Sequence, residues 1–411
     1  RFTFFVRKGL NINMKYFLLI LITTFCINCN NHKTYNKKNG ALLSKTEAKE
    51  LKDKLYKEYS LNLIVNRLKE IEDGIIKIGD LELKYDLQYF GEKPINGWSL
   101  YFSLHGGGGV ANTYNENQWN RHKKLYELKQ GILLTPRSPT NTWNMWHQEH
   151  IDIFFDRLIQ NMIISNDVDP NKVYLMGYSA GGDGVYQLAP RMADRFAAAS
   201  MMAGHPNDAT PLGLRNIGFI IHMGENDSAY NRNKVALEWG DKLKELKRND
   251  PDGYMHQVKI YKWKGHHISH AKRKDLPNPR IDNLDSSGIS WISEFIRNPY
   301  PKKVVWKQDD VTHKRFYWLK VNKPQKNSLI IASIDNQTIT IEKTTLSNFI
   351  IRLNDNLIDM DKNVIVKYLD NEIFNSIVYR NKSTIYNSIK EYGDPKSIYF
   401  GEIPISLSLK E

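Results

Sequence analysis

The chain has 411 residues, 41% of them hydrophobic, and a formal net charge of +13. This length and apolar content predict a globular protein with one main domain and a smaller one. Lysines and arginines are scattered, and dense spots such as residues 272–274 are only three residues long. Because nucleic-acid-binding proteins usually concentrate positive charge in a patch or stripe, the composition argues against a nucleic-acid partner and predicts a solvated basic surface.

The start of the chain has the pattern of an export signal. Met14 and Lys15 form a short basic start, and the apolar stretch 16–25 is too short for a comfortable membrane span but typical of a signal peptide. We therefore expect Met14 to be the true start. The two cysteines of the chain, Cys26 and Cys29, follow directly.

These cysteines lie ahead of an Asn/Lys-rich stretch, residues 30–40. The arrangement resembles a bacterial lipoprotein leader, in which a lipidated cysteine and a polar tether attach the folded part to a membrane. A plain secretory signal is the alternative. Both interpretations predict export, to the cell envelope or out of the cell. The folded part contains no cysteine, so we expect no disulfide and no thiolate metal site there.

The first elements after this leader are a helix and a set of strands. Ser44 and Glu47 form a capping-box pattern, and apolar residues at helical spacing continue to about Ile71. Residues 75–89 alternate well enough for one or two strands, and residues 98–104 predict another strand.

One histidine and four glycines, residues 105–109, follow that strand directly. Acyl transfer by a serine builds negative charge on the carbonyl oxygen of the substrate. Each backbone N–H held around that oxygen contributes about 3 to 4 kcal/mol. A histidine-glycine run after a strand is typical of such a donor loop, so we predict oxyanion-hole donors at Gly106, Gly107 and Gly108. A flexible glycine hinge is the alternative.

Residues 118–129 predict a helix, residues 131–135 a strand, and residues 151–164 a further helix. The loop after the strand is rich in aromatic and hydrogen-bonding side chains. Because ligands bind at the carboxyl ends of strands in such sheets, this loop is a candidate wall of a substrate pocket. Packing of its tryptophans on the core is the alternative. The candidate substrate-binding residues are Asn141, Trp143, Trp146 and His147.

The motif that organises the chain is Gly-x-Ser-x-Gly at residues 177–181. It follows the apolar segment 173–176 and precedes the helix-compatible segment 183–192. This is the context of a nucleophile elbow, in which a strained turn projects the serine hydroxyl from a sheet and flanking glycines avoid collisions. We predict Ser179 as the nucleophile and the N–H of Ala180 as a further oxyanion donor.

A later apolar strand ends in Gly-x-x-Asp at residues 224–227. The acid of a serine-hydrolase triad lies on the loop after such a strand, where it orients the base. The spacing favours Asp227, with the adjacent Glu225 as the alternative. Arg232 follows and is predicted either to bind a substrate carboxylate or to pair with an acidic neighbour.

The last core strand, predicted at residues 258–263, leads into a histidine cluster. Gly-His is the usual pattern around the general base, so His266 is the first choice and His267 and His270 are the alternatives. A metal site is the other interpretation of the cluster, but no Asp, Glu or His with ligand spacing stands beside it.

Four motifs in this order, at residues 105–109, 177–182, 224–227 and 265–266, resemble the α/β-hydrolase superfamily. More specifically, the chain resembles exported esterases related to polyhydroxybutyrate depolymerases and to feruloyl and acetylxylan esterases. The resemblance covers residues 75–320 approximately. It implies a mostly parallel sheet with helices on both faces and a Ser-Asp-His triad, and the alternation of strands and helices agrees. No metal or organic cofactor is implied.

Beyond Pro301 the apolar residues alternate, which predicts a small β-sandwich-like domain followed by a helix at 384–392. We therefore expect a leader at 1–40, an α/β-hydrolase domain at 41–300 and a β-rich domain at 301–411. The predicted C-terminal strands are 316–321, 328–334, 338–341, 348–353 and 364–368.

An exported serine esterase is the leading functional hypothesis. Its partner would be an ester substrate, free or linked to carbohydrate or polymer, with membrane attachment through Cys26 or Cys29. A peptidase of the prolyl-oligopeptidase type is an alternative, although no long propeller domain precedes the hydrolase. The third hypothesis is a surface protein with an inert hydrolase fold that binds a glycan.

Overall fold

The computed structural model describes residues 42–268 and 287–408. The export signal, both cysteines, His270 and the basic residues 272–274 lie outside the described residues. Residues from Leu42 onward form one compact unit, and one hydrophobic cluster runs from Ala48 to Leu407 through all of its sheets. In this part of the chain, no helix is both long and apolar enough to cross a membrane.

The central element is an eight-stranded sheet with the order β1-β2-β4-β3-β5-β6-β7-β8. The pairs β1/β2 and β2/β4 are antiparallel, and the remaining pairs are parallel. The central strands are buried almost throughout, which explains their nearly continuous apolar sequences. The strands are β1 (Ile75–Ile78), β2 (Leu81–Phe90), β3 (Trp98–Leu104), β4 (Gly131–Arg137), β5 (Val168–Tyr178), β6 (Ala198–Met202), β7 (Gly218–Gly224) and β8 (His256–Tyr261).

Helices connect these strands and pack against the sheet. The first has the predicted capping box: Glu47 N donates to Ser44 Oγ at 3.3 Å, and Ser44 N donates to Glu47 Oε2 at 2.8 Å. It ends at Gly74 in the left-handed conformation. The helices are α1 (Lys45–Asp73), α2 (Asn112–His122), α3 (Glu149–Asn166), α4 (Ala180–Arg191), α5 (Arg232–Asn249), α6 (Ile289–Ile292) and α7 (Lys382–Tyr392), with short 3-10 turns at Pro211–Asn216 and Ala229–Asn231.

Two further sheets follow in the C-terminal part, with the orders β16-β15-β13-β12-β9 and β10-β11-β14-β17. All their pairs are antiparallel except β13/β15. The face-to-face packing of a sandwich and the domain boundary near residue 300 stay predictions. The strands are β9 (Lys303–Lys307), β10 (Arg315–Phe316), β11 (Leu319–Lys320), β12 (Leu329–Asp335), β13 (Thr338–Thr344), β14 (Asn348–Leu353), β15 (Val364–Tyr368), β16 (Asn371–Ser376) and β17 (Gly401–Ser406).

The mostly parallel α/β architecture is confirmed, but two local predictions are wrong. The helix predicted at 118–129 is α2, which starts at Asn112 and ends at His122. The His122 ring contacts Ser103 Oγ at 3.0 Å. The apolar residues after it pack into a second core cluster and do not continue the helix. The strand predicted at 316–321 is instead the β10/β11 hairpin, which turns at Tyr317 (φ 49°).

Candidate active site

The turn between β5 and α4 has the strained geometry of a nucleophile elbow. Ser179 has φ 60° and ψ −125°, a combination that side-chain-bearing residues rarely adopt. A Cβ on Gly177 would overlap the carbonyl oxygen of Gly181, and a Cβ on Gly181 would overlap that of Leu104. Glycine is therefore the residue that fits at both flanking positions of the motif.

Ser179, His266 and Asp227 are joined by a continuous chain of hydrogen bonds. His266 Nε2 lies 2.9 Å from Ser179 Oγ, and His266 Nδ1 lies 2.8 Å from Asp227 Oδ2. The three residues stand on the loops after β5, β8 and β7, at one edge of the sheet. Asp227 is 2% exposed, whereas a third of the His266 side chain is accessible. In this geometry the histidine can take a proton from the serine while the buried carboxylate orients it.

The alternatives that the sequence left open occupy other places. Glu225 Oε2 accepts a hydrogen bond from Trp263 N at 2.9 Å and is exposed, so it supports the loop before the base. The His267 ring lies 6.0 Å from that of His266 between centroids. It is His266 that contacts both Ser179 and Asp227.

A tyrosine next to Ser179 holds the histidine loop. The hydroxyl of Tyr178 donates to the carbonyl oxygen of His266 and accepts from Ile268 N at 3.3 Å. Burial raises the pKa of Tyr178 to about 12, so the hydroxyl keeps the proton that this contact needs. The residue before Ser179 therefore fixes the backbone of the loop that carries His266.

The glycine loop approaches the serine closely. A Cβ on Gly106 would lie 3.1 Å from Ser179 Cβ, which places this backbone beside Ser179. Gly107 has φ 110°, and a Cβ there would overlap Asn115 Oδ1. The N–H of Gly108 donates to that same oxygen at 2.9 Å, so this predicted donor is already used inside the protein. Gly106, Gly107 and Ala180, the first residue of α4, remain as candidate oxyanion donors.

His105 is buried behind the glycine loop 106–109, where it supports the loop and cannot contact a substrate. It is fully buried; its Nδ1 lies 2.7 Å from the carbonyl oxygen of Gly106, and its Nε2 accepts from Ser138 N at 3.2 Å. Burial lowers the pKa of His105 to about 3, so the ring is neutral with its proton on Nδ1. The histidine therefore fixes the peptide that leads into the oxyanion loop.

The four residues predicted to line the pocket after β4 have different environments. Trp146 is completely buried and donates from Nε1 to the carbonyl oxygen of His105 at 2.9 Å, so its assignment as a pocket wall is wrong and it packs on the core. Asn141 accepts from Asn115 Nδ2 at 3.0 Å and supports the glycine loop. Trp143 is 64% exposed next to Gly109, where it can reach a ligand.

His147 and Arg232 are partly buried near the site. Burial lowers the pKa of His147 to about 4, and its ring lies 5.5 Å from that of Trp143. Arg232 Nη1 is 3.7 Å from Asp227 Oδ1, and its guanidinium lies 4.9 Å from the centre of the Tyr230 ring. Arg232 therefore pairs with Asp227, which is one of the two roles predicted for it.

Several residues near the site carried no strong sequence signal. Asn115 is fully buried under the glycine loop. Asp183, in the first turn of α4, accepts from His205 N at 2.6 Å, and burial raises its pKa to about 6. Tyr230 and Trp263 are 77% and 84% exposed with φ of 55° and 64°. Tyr230 lies three residues after Asp227, and Trp263 lies three residues before His266. This short distance in the sequence is the one feature that could have identified them as neighbours of the site.

The strand order, with the serine after β5, the acid after β7 and the histidine after β8, decides the architecture. The protein has the α/β-hydrolase fold. Across residues 42–268 and 287–408, no cluster of three His, Cys, Asp or Glu side chains is arranged to hold a metal ion.

No protein-family model matches the chain. Over 212 residues, 48% of its length, the chain is 25% identical to the bifunctional acetylxylan esterase/xylanase XynS20E of Neocallimastix patriciarum. The match spans only 30% of that protein.

The similar solved structures include esterases. A thermostable esterase has a TM-score of 0.41 and 20% identity, with coverage of 55% of this chain and 64% of that one. A ferulic acid esterase has a TM-score of 0.34 and 15% identity, with coverage of 47% and 90%.

Proposed function

We propose that the protein is a serine hydrolase that cleaves carboxylic esters with Ser179 as nucleophile, His266 as general base and Asp227 as the acid that orients it. The observation that carries this proposal is the hydrogen-bond chain from Asp227 Oδ2 through His266 to Ser179 Oγ. A strained elbow and a chain of this kind at the sheet edge are the requirements of nucleophilic serine catalysis.

In the proposed reaction, Ser179 Oγ attacks the ester carbonyl carbon while His266 Nε2 takes its proton. The negative charge on the former carbonyl oxygen faces N–H groups of Gly106, Gly107 and Ala180. His266 then gives the proton to the departing alkoxide, which leaves an acyl group on Ser179. Water, deprotonated by His266, attacks this acyl-enzyme and releases the carboxylic acid, and Asp227 stabilises the imidazolium in both stages.

We propose esters, including esters carried by carbohydrate, as the substrate class. One relative is named an acetylxylan esterase/xylanase, and three exposed aromatic side chains border the site. Trp143 adjoins the glycine loop, Tyr230 follows the acid and Trp263 precedes the base. Exposed rings of this kind offer apolar faces on which a sugar ring or an aromatic acid can pack.

Hydrolysis of p-nitrophenyl acetate, p-nitrophenyl butyrate, methyl ferulate and acetylated xylan by the protein without residues 1–40 tests this proposal. Ser179→Ala is the control. The wild type is expected to hydrolyse at least one ester, and the variant to lose nearly all of the rate. If neither form acts on an ester, the proposal is wrong, and a small peptide panel and glycan-binding measurements then test the two alternatives.

We also propose that the protein is exported and attached to a membrane through Cys26 or Cys29. The support is the basic start, the apolar stretch and the cysteines of the leader. Metabolic labelling with palmitate in a bacterial host, for the full chain and for its Cys26→Ser and Cys29→Ser variants, tests this. Loss of label in one variant is expected, and an unlabelled full chain contradicts lipidation.

A further inference from the structure

The C-terminal segment 308–313 contacts helix α3 through a cluster of charged side chains. His313 Nε2 lies 2.6 Å from Asp152 Oδ2 in α3, and Arg191 Nη2 donates to Asp152 Oδ1, also at 2.6 Å. Arg191 is the last residue of α4, the helix that begins directly after Ser179. Asp152 and Arg191 are almost completely buried, so these charges are compensated within the protein and not by water.

The protonation states of the cluster follow from its contacts. Burial by itself would raise the pKa of Asp152, but Arg191 and His313 hold that pKa below its usual value. Burial would lower the pKa of His313, but Asp152 raises that pKa above its usual value. The cluster is therefore a carboxylate that bonds an arginine and a histidine, which is a strong and directional arrangement.

The segment that carries His313 is itself held firmly. The side chain of Gln308 is buried and bonds both main-chain groups of His313: its Oε1 accepts from His313 N at 2.9 Å, and its Nε2 donates to His313 O at 2.7 Å. Val311 N donates to Asp309 Oδ1 at 2.8 Å. Because segment 308–313 directly follows β9, these bonds tie His313 to the five-stranded sheet.

The contacts continue from Arg191 to the glycine loop. Arg191 Nη2 also donates to the carbonyl oxygen of His147, at 2.9 Å. The adjacent Trp146 bonds the carbonyl oxygen of His105, the residue before the first glycine. Trp146 packs on α4 as well, because a Cβ on Gly184 would lie 2.5 Å from Trp146 Cβ. One connected route therefore links the C-terminal segment to the nucleophile helix and to the loop beside Ser179.

We propose that His313, Asp152 and Arg191 form a positioning relay through which segment 308–313 holds the glycine loop in its catalytic position. The proposal rests on the proposed function, because it concerns stabilisation of the oxyanion in ester hydrolysis. Backbone donors act only when they are held where the negative charge develops, so the residues behind them affect the rate. The C-terminal sheets are then part of the catalytic apparatus and not an independent binding module.

His313→Ala tests the relay. For p-nitrophenyl acetate, kcat is expected to fall about tenfold or more while KM stays within about twofold, since the donors act on the transition state. The inhibition constant of a trifluoromethyl ketone, whose tetrahedral adduct uses the same donors, is expected to rise by a similar factor. His313→Gln keeps an N–H that reaches Asp152 and is expected to recover most of the rate.

The matched control is Arg380→Gln. Arg380 is also a buried arginine with two ion pairs, to Asp355 and Asp361, but these lie inside the C-terminal part and off the relay. Its loss is expected to lower the melting temperature and leave kcat unchanged. Melting temperatures of all variants are measured, and kinetics are compared well below them.

A folded His313→Ala variant with the kcat and inhibition constant of the wild type overturns the relay. An equal fall in kcat for Arg380→Gln also overturns it, because the effect is then general destabilisation. If His313→Ala does not fold, Asp152→Asn, which keeps the size of the side chain, has to show the same fall in kcat. A wild type without esterase activity contradicts the proposed function itself, whereas an active wild type with unaffected relay variants contradicts the relay alone.

Discussion

The Asp227→Asn substitution probes the buried acid of the site. Asp227 Oδ2 faces His266 Nδ1 at 2.8 Å, and only 2% of the residue is exposed. An amide can turn its NH₂ group toward Nδ1, and His266 then carries its proton on Nε2, where it faces Ser179 Oγ. A histidine in that tautomer cannot accept the serine proton. A wrong tautomer of this kind lowers kcat about 10⁴-fold, or by about 5.5 kcal/mol of transition-state stabilisation.

Steady-state hydrolysis of p-nitrophenyl acetate measures this effect, with circular dichroism to establish that the variant is folded. The matched control is Glu225→Gln, because Glu225 bonds Trp263 N and does not contact His266. The control is expected to keep kcat within about twofold of the wild type. An Asp227→Asn variant that retains more than about a tenth of the wild-type kcat, or a control that loses as much as it does, refutes this assignment.

Three further substitutions test separate parts of the site. Gly107→Ala places a Cβ on Asn115 Oδ1 at a φ of 110°. It is expected to lower kcat about 10²-fold or more in the ester assay, whereas Gly79→Ala, also at positive φ but in open space, should leave kcat unchanged. Burial raises the pKa of Asp183 to about 6, so the folded state favours its protonated form and loses stability as pH rises from about 4 to about 6. Asp183→Asn should remove that loss and raise the free energy of unfolding by ~3 kcal/mol at pH 7, measured by urea denaturation, and an unchanged pH dependence contradicts it. Trp263→Ala should raise KM for acetylated xylan about fivefold without changing KM for p-nitrophenyl acetate. An equal change in KM for the two substrates would exclude a role of Trp263 in binding the xylan chain.

Most of the fold could be predicted from the sequence because its central strands are buried on both faces. Strands such as β3 and β7 are nearly continuous apolar runs, and the capping box of α1 marks its start locally. Two of the C-terminal strands that were not predicted lie at sheet edges. β16 is a mostly exposed edge strand, and β17 is an edge strand that contains a proline. β16 lacks the alternation of a half-buried strand, whereas the burial of β17 does alternate and its proline argues against a strand.

The proposed catalytic residues could be identified from the sequence for a related reason. Ser179, Asp227 and His266 each follow a strand within a short local motif, and the parallel sheet brings those loops to one edge. The burial of Trp146 could not be predicted from the sequence, because it depends on contacts of Trp146 with His105 and α4. The pair of His313 and Asp152 spans 161 residues. Such a contact depends on how the segment after β9 packs on α3, and no local pattern encodes it.

The most direct test of the proposed mechanism is the mass of the protein after rapid acid quenching during turnover of p-nitrophenyl acetate. The mechanism requires a covalent acyl-enzyme, so a fraction of the wild type should gain the mass of one acetyl group. Peptide mapping should place that group on Ser179, and Ser179→Ala should gain none. Turnover with no acylated species even when deacylation is slowed by low temperature, or acylation at another residue that persists in Ser179→Ala, would contradict the assignment of Ser179 as the nucleophile.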